Sequence, residues 1–178
     1  LEYSAGTRVF NCLIAENYAG WRGGGIASDG TGLEVINSTV ANNSAGCAGS
    51  FSGGGIASIN NADLAFSNCI IWANVPDQID YENGFIGISY SIFEGGFAGT
   101  GNISEDPLFT VGPRGYHYLS QKAAGQFEDS PGVNSGDNEA SALCSMAPSS
   151  LCLDLYTTRR DEAPDMGQVD IGYHYYSE

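Results

Sequence analysis

Gly23-Gly24-Gly25-Ile26-Ala27-Ser28 recurs as Gly53-Gly54-Gly55-Ile56-Ala57-Ser58, 30 residues further along the chain. Ahead of each copy lies a second matching stretch. It reads Val9-Phe10-Asn11-Cys12-Leu13-Ile14-Ala15-Glu16-Asn17 and then Val35-Ile36-Asn37-Ser38-Thr39-Val40-Ala41-Asn42-Asn43. A third version is Ala65-Phe66-Ser67-Asn68-Cys69-Ile70-Ile71-Trp72-Ala73-Asn74, and a weaker fourth runs from Ile86 to Phe93. Internal repeats of 20 to 50 residues indicate a solenoid, a propeller or an array. Leu33-Glu34-Val35-Ile36 and Ser38-Thr39-Val40-Ala41 alternate as short strands do. Asn, Gly and Ser between them suit sharp corners. Three short strands per unit describe one coil of a parallel β-helix, with coils about 4.8 Å apart. A propeller blade needs about 40 residues and four strands.

Stacked coils place like on like. Asn11, Asn37 and Asn68 are therefore expected to form a ladder of side-chain amides. Cys12 and Cys69 take the same place in coils one and three, with Ser38 between them. Two rungs, about 9.6 Å, exceed the reach of a disulfide, so both read as free thiols that pack as small hydrophobes. Cys47 aligns with Trp21 in an outward loop and is the odd cysteine. Cys144 and Cys152 flank a Pro- and Ser-containing loop and read as a disulfide, which suits an exported protein.

Units of the form Asn-[Cys/Ser]-x-[Ile/Val]-x-x-Asn followed by Gly-Gly-Gly-Ile-Ala resemble right-handed parallel β-helix repeats of the pectate-lyase-like superfamily, over about residues 8–93. After residue 100 the pattern changes. Asp106-Pro107-Leu108-Phe109, Gly115-Tyr116-His117-Tyr118-Leu119, Ser130-Pro131-Gly132-Val133-Asn134-Ser135-Gly136-Asp137 and Val169-Asp170-Ile171-Gly172 follow in order. This succession resembles the choice-of-anchor Q module of bacterial surface β-helix proteins. Tyr173 departs from it, standing where the family has Ala, and so does the inserted loop between Asp137 and Asp154. The expected fold is all-β: a short right-handed parallel β-helix of three to four coils over residues 1–99, then an irregular capping module over 100–178. Leu108, Phe109, Leu119, Val133, Ile171 and Tyr173 are expected to cover the last coil, whose open edge would otherwise template aggregation. The short stretch before residue 9 offers no comparable cover. The chain is thus expected to be a fragment of a longer protein, or a subunit whose first coil is covered by another chain.

Lys and Arg total 6 against 21 Asp and Glu, a net charge of −15. Such a surface repels phosphate, so nucleic acid is not an expected partner. The longest apolar run, Cys69 to Ala73, is far short of the roughly 20 residues of a membrane span. No Gly-x-Ser-x-Gly elbow occurs, and the two histidines, His117 and His174, read as structural. Glycoside hydrolysis needs two facing carboxylates. Glu16, Asp29, Glu34, Asp63, Asp77, Asp80 and Glu82 do not recur at one aligned position and read as solvated loop charges. The coils carry Arg8 and Arg22 as their cations, too few for a lyase acting on an anionic polysaccharide.

Asp154, Asp161, Asp165 and Asp170 supply hard oxygen ligands that suit Ca²⁺. Arg159 and Arg160 compete for the same acids, and no motif requires a cofactor. Tyr18, Trp21 and Phe51 precede the glycine corners and are candidate contacts for a sugar or a neighbouring subunit. The Asn-x-Ser/Thr triplets at Asn37, Asn42 and Asn102 read as chance matches. Taken together, the residues and the resemblance imply a non-enzymatic extracellular or cell-surface structural or adhesin-like module. Its expected partners are other chains of a surface assembly or an upstream part of the same protein, and polysaccharide is a further candidate. The alternatives are the C-terminal part of a polysaccharide lyase or glycoside hydrolase, and a sugar-binding module.

Overall fold

A computed structural model describes residues 6–46, 53–144 and 152–177. The repeats wind as a parallel β-solenoid of about three turns. Its first turn holds β1 (Thr7–Phe10), β2 (Leu13–Ala15), β3 (Tyr18–Ala19) and β4 (Ile26–Asp29). The second holds β5 (Leu33–Ile36), β6 (Thr39–Ala41), β7 (Ser44–Ala45) and β8 (Ile56–Ile59). The third holds β9 (Leu64–Ser67), β10 (Ile70–Trp72) and β11 (Ile79–Tyr81), and β12 (Ile86–Ser89) with β13 (Ile92–Phe93) begins a fourth. The stacked sheets run β1-β5-β9-β12, β2-β6-β10-β13 and β4-β8-β11. The two triple-glycine segments lie directly over one another, with Ile26 opposite Ile56 and Gly25 N–H donating to Gly55 O at 3.0 Å.

Register explains the core. Leu33 pairs with Leu64, Val35 with Phe66, and Val40 with Ile71. These inward residues form one continuous buried cluster with Ile56, Cys69, Ile88 and Phe93. The corner after the first sheet is set by Asn11, Asn37, Asn68 and Tyr90, all at positive φ between 43° and 53°. Asn adopts this left-handed conformation more readily than most residues, which is why it recurs there.

An asparagine ladder runs inside the second corner, at Asn17, Asn43 and Asn74. Asn17 Nδ2 donates to Asn43 Oδ1 at 2.9 Å, and Asn43 Nδ2 donates to Asn74 Oδ1 at 3.0 Å. Asn74 Nδ2 donates to Gln78 Oε1 at 2.7 Å, and Gln78 Nε2 donates to Glu94 Oε2 at 2.6 Å, which ends the chain. Asn43 also accepts from the Asn17 backbone and donates to Ile14 O. Fully buried, it joins three turns. Asn43→Ala is expected to cost about 2–4 kcal/mol, because several buried groups lose their partner at once. Chemical denaturation of the variant checks this, and a loss below about 1 kcal/mol would contradict it.

The top of the stack is closed by residues 94–103. Asn102 Oδ1 accepts from Ser91 N at 3.1 Å, while Asn102 Nδ2 donates to Ile88 O and Phe97 O, both at 3.0 Å. Phe97 packs on the core beside Phe93, with ring centroids 5.4 Å apart. Of the residues expected to cover the last coil, Leu119 and Ile171 reach Ile92 of its β13, but they cover its outward flank and that of the turn below. Leu119 and Ile171 bury against Ile70 and Ile92, with Phe109 and Val133 at the edge. Ile70 and Ile92 lie on the same side of β10 and β13 as Thr39 of β6, the side facing away from the core. The C-terminal segment is therefore a buttress on the flank of the solenoid, and it covers the outward apolar row that the strands leave bare.

Candidate functional site

Two small antiparallel ribbons frame the buttress: β14 (Phe109–Gly112) with β15 (Gly115–Leu119), and β16 (Tyr156–Thr157) with β17 (Tyr175–Tyr176). Between them runs a strap, residues 170–174, which descends the corner turn by turn. Gly172 N donates to Asn68 O at 2.9 Å, Tyr173 N to Thr39 Oγ1 at 3.0 Å, and His174 N to Asn11 Oδ1 at 2.7 Å. Asn11 Nδ2 returns a bond to His174 O at 3.0 Å, and Asn37 Nδ2 donates to Asp170 O at 3.3 Å. Gly172 has φ +102°, and a Cβ there would come within 2.7 Å of Ile70 Cδ1. Hence glycine follows Ile171.

The amides of Asn11, Asn37 and Asn68 thus have a second task beside the stacking expected of them. One amide-to-amide bond joins Asn68 Nδ2 to Asn37 Oδ1 at 3.2 Å. Asn68 also exchanges bonds with Asp137, donating to Oδ1 at 2.8 Å and accepting from N at 3.0 Å. The corner asparagines therefore form a polar rail that holds the buttress.

The strongest cluster of titratable groups sits where the strap starts. Asp165, Asp170 and His174 are all buried. His174 Nε2 lies 2.8 Å from Asp165 Oδ2, and His174 Nδ1 lies 2.9 Å from Gly172 O. Asp170 Oδ1 accepts from Asn134 N at 2.7 Å, and Oδ2 accepts from Gln121 Nε2 at 2.9 Å and from the Thr158 hydroxyl. Burial, and then the nearby Asp165 charge, push the Asp170 carboxyl above its ordinary value. A cleft of about 320 Å³ opens beside them, lined by Gln121, Asn134, Arg159 and Met166 among others. Its carboxylates already accept hydrogen bonds from the protein, and among the described residues the partner of His174 Nε2 is the Asp165 carboxylate rather than a nucleophilic hydroxyl.

Of the four acids considered for Ca²⁺, Asp165 and Asp170 lie together, with Asp170 N donating to Asp165 Oδ2 at 2.9 Å, but the four do not gather into one site. Asp161 is clamped by Arg159 at 2.6 and 3.0 Å, Asp165 and Asp170 are engaged as above, and Asp154 lies in the short 3-10 turn Leu153–Leu155. Among the described residues no group of three or more His, Cys, Asp or Glu is arranged to hold a metal ion. Tyr18 and Trp21 are exposed, at 72% and 61%. Trp21 lies under the Arg22 guanidinium at 4.7 Å, and Arg22 in turn reaches Glu82 on the third turn. Phe51 and Cys47 lie outside the described residues. His117 is buried edge-on to Phe109, and burial lowers its pKa, which favours the neutral ring.

Cys144 and Cys152 form a disulfide. Cys12 and Cys69 are free thiols, half-buried and buried. Burial pushes the Cys69 thiol up to about 12. It is expected to resist alkylation in the folded protein at neutral pH, since the thiolate is the nucleophile. Mass spectrometry after iodoacetamide treatment checks this, and rapid native labelling of Cys69 would contradict it.

Fold and site together define a class: a parallel β-solenoid of about three turns with a C-terminal buttress strapped along its flank. No family model, no curated protein and no solved structure matches the chain.

Proposed function

We propose that the chain is a non-enzymatic extracellular or cell-surface module, structural or adhesin-like, that works within a larger surface assembly. The observation that carries this reading is the fate of its acids and buried polar groups. The carboxylates that come together are spent on internal bonds: Asp165 to His174, Asp170 to Thr158 and Gln121, Asp161 to Arg159, and Glu94 to the ladder. Such an arrangement stiffens a rod. Catalytic carboxylates must instead face a substrate across an open groove. The Cys144–Cys152 disulfide favours an oxidising compartment. The four ordered motifs between Asp106 and Gly172, which resemble the choice-of-anchor Q module, favour a bacterial surface and a place downstream of pectate-lyase-like repeats. The −15 charge suits a soluble, outward-facing surface that repels its own copies.

The test is incubation of the purified chain with neutral and acidic polysaccharides, read as release of reducing or unsaturated ends, alongside fractionation of the source cells. The reading expects no release above buffer and recovery with the cell surface or medium. Sustained release, lost on substitution of a single coil carboxylate, would replace it with the enzyme reading.

A further inference from the structure

We propose that Asn83-Gly84, in the arch between β11 and β12, is a self-modification site: the Gly84 nitrogen attacks the Asn83 side chain, and the chain comes to carry an isoaspartyl linkage there. This inference goes beyond the architectural role above and does not depend on it. The residues on either side of the pair are pinned to the turn below. Glu82 N donates to Ser58 O at 3.2 Å, and Phe85 N donates to Asp63 Oδ1 at 2.8 Å. Phe85 O accepts from Leu64 N at 2.8 Å. Asn83 and Gly84 span the gap between these anchors, and both are exposed. Among the described residues, neither the Asn83 side-chain amide nor the Gly84 N–H has a hydrogen-bond partner.

A side-chain amide reacts slowly unless a nucleophile is held beside it on the same chain. The Gly84 nitrogen is placed to close a five-membered ring on Asn83 Cγ. Its N–H proton passes to a solvent base, the N–Cγ bond forms, and the Cγ–Nδ2 bond breaks with release of ammonia. Water then opens the succinimide. Addition at Cγ breaks the new bond and leaves Asp at 83. Addition at the Asn83 main-chain carbonyl breaks the original peptide bond, so the chain runs on through Cβ and Cγ and the α-carboxylate is freed. The sum is an amide and water giving an acid and ammonia.

The arch meets these demands where other positions do not. Asn83 is the one asparagine of the sequence followed by glycine. Asn37, Asn43 and Asn68 are fully buried, and their amides donate to Asp170 O, Asn74 Oδ1 and Asn37 Oδ1. Each of the three precedes Ser or Cys, whose Cβ crowds the attacking nitrogen. The fold itself demands glycine at 84. Its φ is +100°, and a Cβ there would stand 2.6 Å from Ala62 O. The isoaspartyl product adds one backbone atom to an arch fixed at both ends. It also adds a negative charge between Glu82 and the Phe85–Asp63 bond.

The experiment is incubation of the folded chain at neutral and mildly alkaline pH, followed by peptide mapping with mass spectrometry and enzymatic methyl-labelling of isoaspartate. Wild type, the urea-unfolded wild type and Asn83→Gln are compared. Conversion at 83 is expected to outpace that at Asn37, Asn43 and Asn68 by at least ten-fold and to rise with pH, because the attacking nitrogen must lose its proton. Isoaspartate is expected to exceed Asp. The folded rate should lie within a few-fold of the unfolded one, since the arch leaves both partners free. Asn83→Gln must close a larger ring and should lose the conversion. Protection of 83 in the folded chain by ten-fold or more, conversion spread evenly over the asparagines, Asp as the sole product, or conversion undiminished in Asn83→Gln would overturn the proposal.

Discussion

Gly54→Ala is expected to unfold the solenoid or to cost about 3–5 kcal/mol, at the severe end of overpacking. The reason is contact with main chain. A Cβ at 54 would stand 2.1 Å from Val75 O and 2.3 Å from Val75 C. No side-chain rotation relieves a clash with backbone, so the third turn would have to move away from the second. Gly24 repeats the arrangement one turn earlier, with Gly54 O and Ser44 O each 2.4 Å from its would-be Cβ. For a chain of this size the loss amounts to a melting point lower by roughly 10 °C or more. Gly20→Ala is the matched control, because nothing lies within 4 Å of that position. Thermal melts by circular dichroism decide the matter. Equal melting points for the two variants would show that the glycine corner relaxes freely.

Asp170→Ala is expected to cost about 3–5 kcal/mol and to loosen the strap. Its carboxylate is the shared acceptor for the Asn134 N–H, the Thr158 hydroxyl and the Gln121 amide. Truncation leaves two buried donors, on Gln121 and Thr158, and the part-buried Asn134 N–H without it. Asp170→Asn behaves differently, because it keeps the shape and removes the charge. The Asp170 carboxyl titrates above its ordinary 3.8 in the folded chain, chiefly through burial and then through Asp165. The folded state therefore holds this proton more tightly than the unfolded state. The group's contribution to stability is full below the unfolded value and shrinks as pH rises through the folded one. The stability of Asp170→Asn relative to wild type is expected to improve as pH rises across that window and to level off on either side. Parallel urea titrations over a pH series measure it. The opposite slope would mean that Asp170 is stabilised as the anion.

The coils were legible because their constraints are local and repeated. Three glycines mark a corner where backbone meets backbone, and alternating residues mark inward rows. The polar interior was half legible. Asn11, Asn37 and Asn68 stand at corners of positive φ. The longer amide ladder through Asn17, Asn43 and Asn74 closes the same repeat units one corner later, yet attention to the first asparagine of each unit passes over it. Which face of the coils the C-terminal module covers was not legible, for a physical reason. Leu119, Val133 and Ile171 read correctly as apolar cover, but composition does not say which surface they cover. One signal was present. Cys69-Ile70-Ile71-Trp72 is apolar on both faces of a strand, so its outward residue Ile70 demanded a partner off the axis.

The bond between Asn11 and His174 spans 163 residues. A bare stack of turns is nearly one-dimensional: it can peel from either end, and each turn depends on its neighbours. Here the last folded segment is tied to the first turn, so the stack is latched shut along its length. The first turn cannot fray until that latch opens, and the latch cannot close until all three turns are in place. Such long-range closure slows folding. In return the described turns and the strap give way as a single mechanical unit.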